Sequence, residues 1–151
     1  MAFVDLEPIE AMYRAIERIS DDSIWFRAVD NSVRNEIIRM NTIDQLYEQG
    51  IDSKSVSLGE YADITVQMKI LKGERYDHIT LYDEGDFYNS FVVKVDRLGL
   101  ELDADDFSKY DRPLFDIYGV DVLGLTDEKM GYLINIIRER YIQILHAEIL
   151  S

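Results

Sequence analysis

The chain has 151 residues, the size of one domain and enough to bury a core without disulfides or metal ions. It contains no cysteine, which excludes disulfides, thiol nucleophiles, iron–sulfur clusters and thiolate zinc sites. Its 30 acidic side chains outnumber the 16 basic ones, and the net charge of -14 argues against direct binding of a phosphate backbone.

The sequence predicts neither a secretion signal nor a membrane span. The first residues carry acids early and lack a basic start, and no stretch approaches about 18 uninterrupted apolar residues. We therefore expect a single domain over residues 1–151, with residues 1–22 as a candidate peripheral arm.

Helical periodicity dominates the first third of the chain. Residues 8–19 predict a short amphipathic helix, and residues 20–23 supply capping side chains for a longer helix over residues 24–49 that stops at Gly50. Asn41 and Thr42 could interrupt it, because both side chains compete for backbone hydrogen bonds.

The middle of the chain changes from helical to alternating patterns. Residues 51–60 predict an ordered loop, and a third helix follows in which Tyr61, Ile64, Met68 and Leu71 share one face. Gly73 is expected to end this helix in a left-handed conformation. Residues 78–82 are expected to run extended towards an acidic turn.

A β-hairpin and a long helix complete the prediction. Residues 91–96 and 98–102 read as paired strands joined at residues 96–99. Thr126 is a candidate cap for the last helix. Its predicted apolar stripe consists of Met130, Leu133, Ile134, Ile137, Tyr141, Ile144 and Leu145.

These elements predict an α+β fold. It has N-terminal helices, a small antiparallel sheet with a β-hairpin and a long C-terminal helix.

The stretch LYDEGDFYNSF at residues 81–91 admits two interpretations. Asp83, Glu84 and Asp86 surround Gly85, and carboxylates are ligands that Mg²⁺ and Ca²⁺ prefer. A magnesium site, however, draws its carboxylates from separated elements, whereas these lie within four positions of one glycine. The pattern favours a turn whose acids face water and whose Phe87 and Phe91 enter the core.

Three groups of residues carry a resemblance to a known family. They are Leu81, Asp83, Gly85, Phe87, Ser90 and Phe91 at the turn, Tyr61, Thr65, Lys69 and Gly73 before it, and Gly124, Leu125 and Thr126 at the start of the last helix. Together they resemble tail-completion or head–tail connector proteins of tailed bacteriophages, also called neck or virion morphogenesis proteins. The likeness covers about residues 45 to 145 and is nearest to ring proteins of crAss-like phages. Glu84 replaces the family's usual threonine.

The resemblance implies a structural virion protein without catalytic residues, cofactor, metal or membrane. Such a protein forms a homo-oligomeric ring, on the order of six or twelve copies, with portal and other neck or tail proteins as partners. It joins capsid to tail, and DNA passes its channel without specific binding. It is made in the host cytoplasm and resides at the head–tail junction of the virion. The motif residues would serve fold and assembly.

A second hypothesis belongs to another class of protein. The chain would be a soluble cytosolic adaptor, or a small-molecule or metal-dependent enzyme whose acidic residues gather around Asp83, Glu84 and Asp86.

Overall fold

The computed structural model of the protein describes residues 7–19, 21–109 and 111–150. Within these ranges four short antiparallel strands follow one another between two groups of helices, so the predicted α+β class is confirmed. The α-helices are α1 (Glu7–Arg18), α2 (Asp21–Ala28), α3 (Asn31–Arg39), α4 (Asp63–Lys72), α5 (Asp86–Asn89), α6 (Leu114–Tyr118) and α7 (Asp127–Leu150). A π-helix (Met40–Gln49) continues α3, and a 3₁₀ turn (Val120–Val122) follows α6.

The single helix predicted over residues 24–49 is wrong. The chain breaks after α2, and the Asp30 side chain caps α3 by accepting a hydrogen bond from the Val33 backbone N–H at 3.1 Å. This acceptor satisfies one of the N–H groups that a helix start leaves free. α2 itself begins within the predicted capping stretch, of which Ser20 lies outside the described residues.

The sequence allowed an interruption of the helix at Asn41 and Thr42. The helix does not end there; these residues lie where it widens into the π-helix. The Thr42 hydroxyl donates to the Ile38 carbonyl oxygen at 2.7 Å, a side-chain bond that competes with the regular backbone ladder. Gly50 then closes the π-helix at φ +61°, as predicted for the end of this segment.

Two buried amide side chains of the π-helix hold the backbone that leads into α7. Asn41 Nδ2 donates to the Val122 carbonyl oxygen at 2.9 Å, and Asn41 Oδ1 accepts from the Gly124 N–H at 2.8 Å. Gln45 Nε2 donates to the Gly124 carbonyl oxygen and Gln45 Oε1 accepts from the Thr126 N–H, both at 2.9 Å. Both amides are fully buried, and each makes one hydrogen bond through its nitrogen and one through its oxygen.

The segment around α4 departs from the prediction in two ways. Ile64, Met68 and Leu71 do share a face, but that face is exposed, and Lys69 is the residue that α4 buries. Residues 78–82 form no strand, since the backbone turns at Leu81 with φ +57°. The left-handed cap at Gly73 is confirmed, with φ +70°.

The predicted hairpin is confirmed. β1 (Val92–Asp96) pairs antiparallel with β2 (Gly99–Asp103), and Arg97 and Leu98 form the tip. The Asp96 carboxylate accepts from the Leu98 N–H at 2.7 Å and from the Gly99 N–H at 3.0 Å, which fixes the turn. A second short pair joins β3 (Ser108–Lys109) to β4 (Arg112–Pro113).

α7 begins where the sequence predicted, directly after Thr126. Its predicted apolar stripe is only partly right. Leu133 is buried and Ile137 packs against the core, whereas Met130 and Ile134 are exposed. No helix in the described ranges is long and apolar enough to cross a membrane.

The core consists of two clusters. The first core cluster contains Leu46, Leu81, Phe87, Tyr88, Phe91, Ala104, Leu114 and Val122. The second core cluster contains Val29, Val33, Ile37, Met40, Leu125 and Leu133. The π-helix supplies Leu46 to one and Met40 to the other, so it joins them.

Of the candidate peripheral arm, residues 7–19 and 21–22 are described. α1 contacts α7, and Ile9, Tyr13 and Ile16 on α1 are exposed. The single domain and the arm remain predictions.

Replacing Gln45 by leucine should destabilise the protein by about 2–4 kcal/mol, because Gly124 O and Thr126 N–H would lose their partner inside the core. Chemical denaturation measures this loss. Gln49→Leu, at an exposed position four residues on, is the control and should change stability by less than about 0.5 kcal/mol. Equal losses for the two variants would contradict the role of the buried amide.

Candidate functional site

The acidic turn separates its charged residues from its aromatic ones. Asp83, Glu84 and Asp86 are exposed, and the Asp83 carboxylate lies 3.8 Å from the Lys72 amine. Phe87 and Phe91 are buried, with ring centroids 5.0 Å apart. The predicted placement of acids in water and aromatics in the core is confirmed.

Gly85 makes the tight start of α5 possible. Its φ of +91° lies in the left-handed region that side chains with a Cβ disfavour. A Cβ at this position would also lie 3.3 Å from the Tyr82 ring. The backbone conformation therefore requires glycine here, and the tight contact with the Tyr82 ring further disfavours a side chain.

Ser90 joins the turn to the chain that follows the hairpin. Its hydroxyl donates to the Phe87 carbonyl oxygen at 2.6 Å and accepts from the Asp105 N–H at 3.0 Å. The serine of the motif thus fixes the end of α5 against the loop after β2.

A cluster of three tyrosine rings packs at the acidic turn. The Tyr82 ring meets Tyr47 and Tyr88 edge-on, at centroid distances of 5.9 and 5.2 Å. The buried Tyr88 hydroxyl donates to the Thr80 carbonyl oxygen. Burial raises the pKa of Tyr88 well above its ordinary value, because the ionised phenolate would lie away from water.

Lys69 attaches α4 to this turn. Its amine lies 3.0 Å from both a Glu74 carboxylate oxygen and the Tyr82 carbonyl oxygen, and 4.8 Å from the centroid of the Tyr61 ring. Burial alone lowers the pKa of Lys69, but the hydrogen bond to Glu74 and the neighbouring Tyr61 raise it above the ordinary value on balance. The lysine is therefore a charged anchor.

Tyr61 makes a second connection between the same segments. The Tyr61 hydroxyl accepts from the Thr80 N–H at 3.0 Å and lies 3.1 Å from the Thr80 hydroxyl. Thr80 is buried, so these bonds satisfy its polar groups inside the protein.

Between α4 and the turn lies a cavity of about 380 Å³, which we call the α4 cavity. Buried apolar residues Leu81, Phe87 and Leu114 form its floor. Its exposed lining includes the acids Asp83, Glu84 and Asp86, with Met68, Lys72 and Phe107. An apolar floor under a rim where three acids outnumber one exposed lysine suits a ligand with an apolar end and a positive charge.

The structure brings together two of the three predicted groups. Tyr61, Thr65 and Lys69 line the α4 cavity together with Leu81, Asp83 and Phe87. Gly73, Gly85, Ser90 and Phe91 adjoin it as caps and core residues.

The third group, Gly124, Leu125 and Thr126, lies apart from the cavity. Leu125 belongs to the second core cluster, and Gly124, at φ +120°, packs against Ser53. The Thr126 hydroxyl accepts from the Lys129 N–H at 3.4 Å at the start of α7. These residues set the position of α7.

Sequence reasoning missed Phe107 and Leu114 as lining residues, because they follow the hairpin and no local pattern links them to the turn. It also missed the burial of Lys69. No local pattern signals this burial, because one partner of Lys69 is the Tyr82 carbonyl oxygen, 13 positions along the chain.

Among residues 7–19, 21–109 and 111–150, no group of three or more His, Cys, Asp or Glu side chains is arranged to hold a metal ion. Comparison with protein-family models, curated proteins and solved structures found no match to the chain.

Replacing Gly85 by valine should cost about 1–3 kcal/mol, because the positive φ and the Tyr82 ring both oppose a side chain. Thermal and denaturant unfolding measure the loss. Gly131→Ala is the control: this glycine is within α7 and has open space around it. Alanine there should leave stability unchanged or raise it by up to about 1 kcal/mol. An unaltered midpoint for Gly85→Val would make the turn assignment wrong.

Replacing Tyr88 by phenylalanine should cost about 1 kcal/mol near neutral pH, since the hydrogen bond to Thr80 is lost. The cost should shrink as pH rises above about 10. The unfolded chain ionises its tyrosines there, whereas the folded protein holds the Tyr88 phenol neutral, so the wild type loses stability that the variant cannot lose. Denaturation at a series of alkaline pH values measures the difference in stability between the wild type and Tyr88→Phe. A difference that stays constant with pH would contradict the raised pKa of Tyr88.

Proposed function

We propose that this protein is a non-enzymatic structural component of a tailed-bacteriophage virion. It would form a ring in the head–tail connector, join portal or capsid to tail and line the DNA channel. The proposal rests on the resemblance of the residue groups around the turn and before α7 to connector proteins, together with the surface described below.

One surface feature carries the proposal furthest. α1 exposes Ile9, Tyr13 and Ile16, and α4 exposes Ile64, Met68 and Leu71. Both sets have the spacing i, i+4, i+7, which forms a continuous apolar stripe along one side of a helix. Single apolar side chains on a surface are ordinary, but ordered stripes are typical of surfaces that a partner covers.

The charge of the chain is compatible with a channel wall. A net charge of -14 repels the DNA phosphates, so a passing genome would slide without adhering. The exposed acids of the turn contribute to this charge.

The competing hypothesis of a small-molecule or metal-dependent protein has one observation in its favour, the α4 cavity. Calorimetric titration with Mg²⁺, Mn²⁺ and Ca²⁺ addresses its metal-dependent form. Binding at millimolar concentration or tighter that Asp83→Ala abolishes would support that hypothesis over the connector.

Light scattering of the purified protein at several concentrations, alone and with portal and capsid proteins from the same genome, tests the connector proposal. We expect either a closed ring or a monomer that joins a ring only when the portal is present. A monomer or dimer whose mass does not change when portal and capsid proteins are added would overturn the proposal.

A further inference from the structure

The tip of the β1–β2 hairpin presents an apolar side chain next to a positive one. Leu98 is 97% exposed, the largest exposed fraction among the large apolar residues described. The neighbouring Arg97 side chain is 78% exposed. Moving an exposed apolar side chain from water into an apolar cavity is favourable, because it removes apolar surface from water.

The tip is held in a fixed shape. The Asp96 carboxylate binds two backbone N–H groups of the turn, and the Trp25 indole N–H donates to the Asp96 carbonyl oxygen at 2.7 Å. A preorganised loop loses little conformational entropy when it binds.

The α4 cavity has the complementary character. Its floor of Leu81, Phe87 and Leu114 is apolar. Three exposed acids, Asp83, Glu84 and Asp86, outnumber the exposed Lys72 in its lining, and Lys72 lies beside Asp83, so Glu84 and Asp86 remain to meet a positive charge. In chemical character the leucine of the hairpin tip matches the floor, and the arginine matches the acids of the rim.

We propose that the hairpin tip of one copy docks into the α4 cavity of a neighbouring copy, with Leu98 on the apolar floor and Arg97 against the acidic rim. This inference deepens the proposed ring and rests on it. The occupant of the cavity is a second copy of this chain.

A copy cannot fill its own cavity in this way. β1 begins directly after Phe91, which packs on Phe87 beneath the cavity. The five residues of β1 then carry the tip about 16 Å away along a paired, extended strand.

Arg97 is available for exchange between partners. Within its own copy it pairs with Asp22 at 3.2 Å, and both side chains are well exposed. Exposed ion pairs contribute little to stability, so a carboxylate cluster beside an apolar contact can replace Asp22.

Tip and cavity are different surfaces of the same chain. Contacts between unlike surfaces repeat from copy to copy and generate a ring when the rotation closes. The proposed contact therefore has the symmetry that a connector ring requires.

Disulfide trapping tests the contact directly, because the chain has no cysteine of its own. Copies carrying Leu98→Cys are mixed with copies carrying Met68→Cys, at an exposed residue of the cavity wall, and oxidised mildly. Docking brings the two sulfurs together, so the mixed disulfide should exceed that of a control pair by at least about tenfold. The control pair replaces Leu98→Cys by Leu150→Cys, which is 85% exposed on α7.

The charge of the tip gives a second readout. Adding Arg97→Glu to the Leu98→Cys copy should lower the yield of mixed disulfide at least about threefold. Adding Glu84→Arg to the Met68→Cys copy should restore it, because the opposite charges face each other again.

A yield of the mixed disulfide no higher than that of the control pair would overturn the docking. If a ring still formed in that case, the connector proposal would stand without the docking. Preferential trapping of Met68→Cys with Tyr13→Cys would also overturn it, because the α1 stripe would then cover the cavity. If the mixed disulfide forms specifically but the protein does not bind portal or capsid proteins, the docking is supported and the connector proposal is overturned.

Discussion

The rest of the structure depends on the hydrogen bonds that Asn41 and Gln45 make from the π-helix to the backbone between Val122 and Thr126. Regular secondary structure does not satisfy this stretch of backbone, which would otherwise carry unpaired polar groups into the core. Two amide side chains take the place of a neighbouring strand. The widened helix that holds them is rare in proteins and is often found at functional positions.

The same segment determines where the two core clusters meet. Leu46 reaches the cluster beneath the acidic turn, and Met40 reaches the cluster against α7. Asp44, between them, pairs with Lys129 in the first turn of α7 at 3.0 Å. The α4 cavity and the start of α7 are therefore positioned by one helical segment, although they lie far apart in the sequence.

Local patterns predicted the elements better than their contacts. The hairpin, the caps at Gly50 and Gly73 and the start of α7 follow from residue types within a few positions, and all of them were predictable. The break before Asp30 carried a readable capping signal that the apolar periodicity on either side outweighed. The burial of Lys69 and the exposure of Ile64 were not predictable, because the partners of Lys69 include a backbone carbonyl beyond the next turn. No periodicity encodes such a long-range choice.

Because α4 buries Lys69 and exposes its apolar stripe, we expect this helix to separate from the protein more easily than α3 and the π-helix. A helix that buries a lysine and leaves its apolar stripe in water has few apolar contacts to lose when it separates from the protein. Its attachment is polar, through the bonds of the Lys69 amine to Glu74 and to the Tyr82 carbonyl oxygen. We therefore expect the amide hydrogens of α4 to exchange faster than those of α3 and the π-helix, which are expected to exchange only when the core opens.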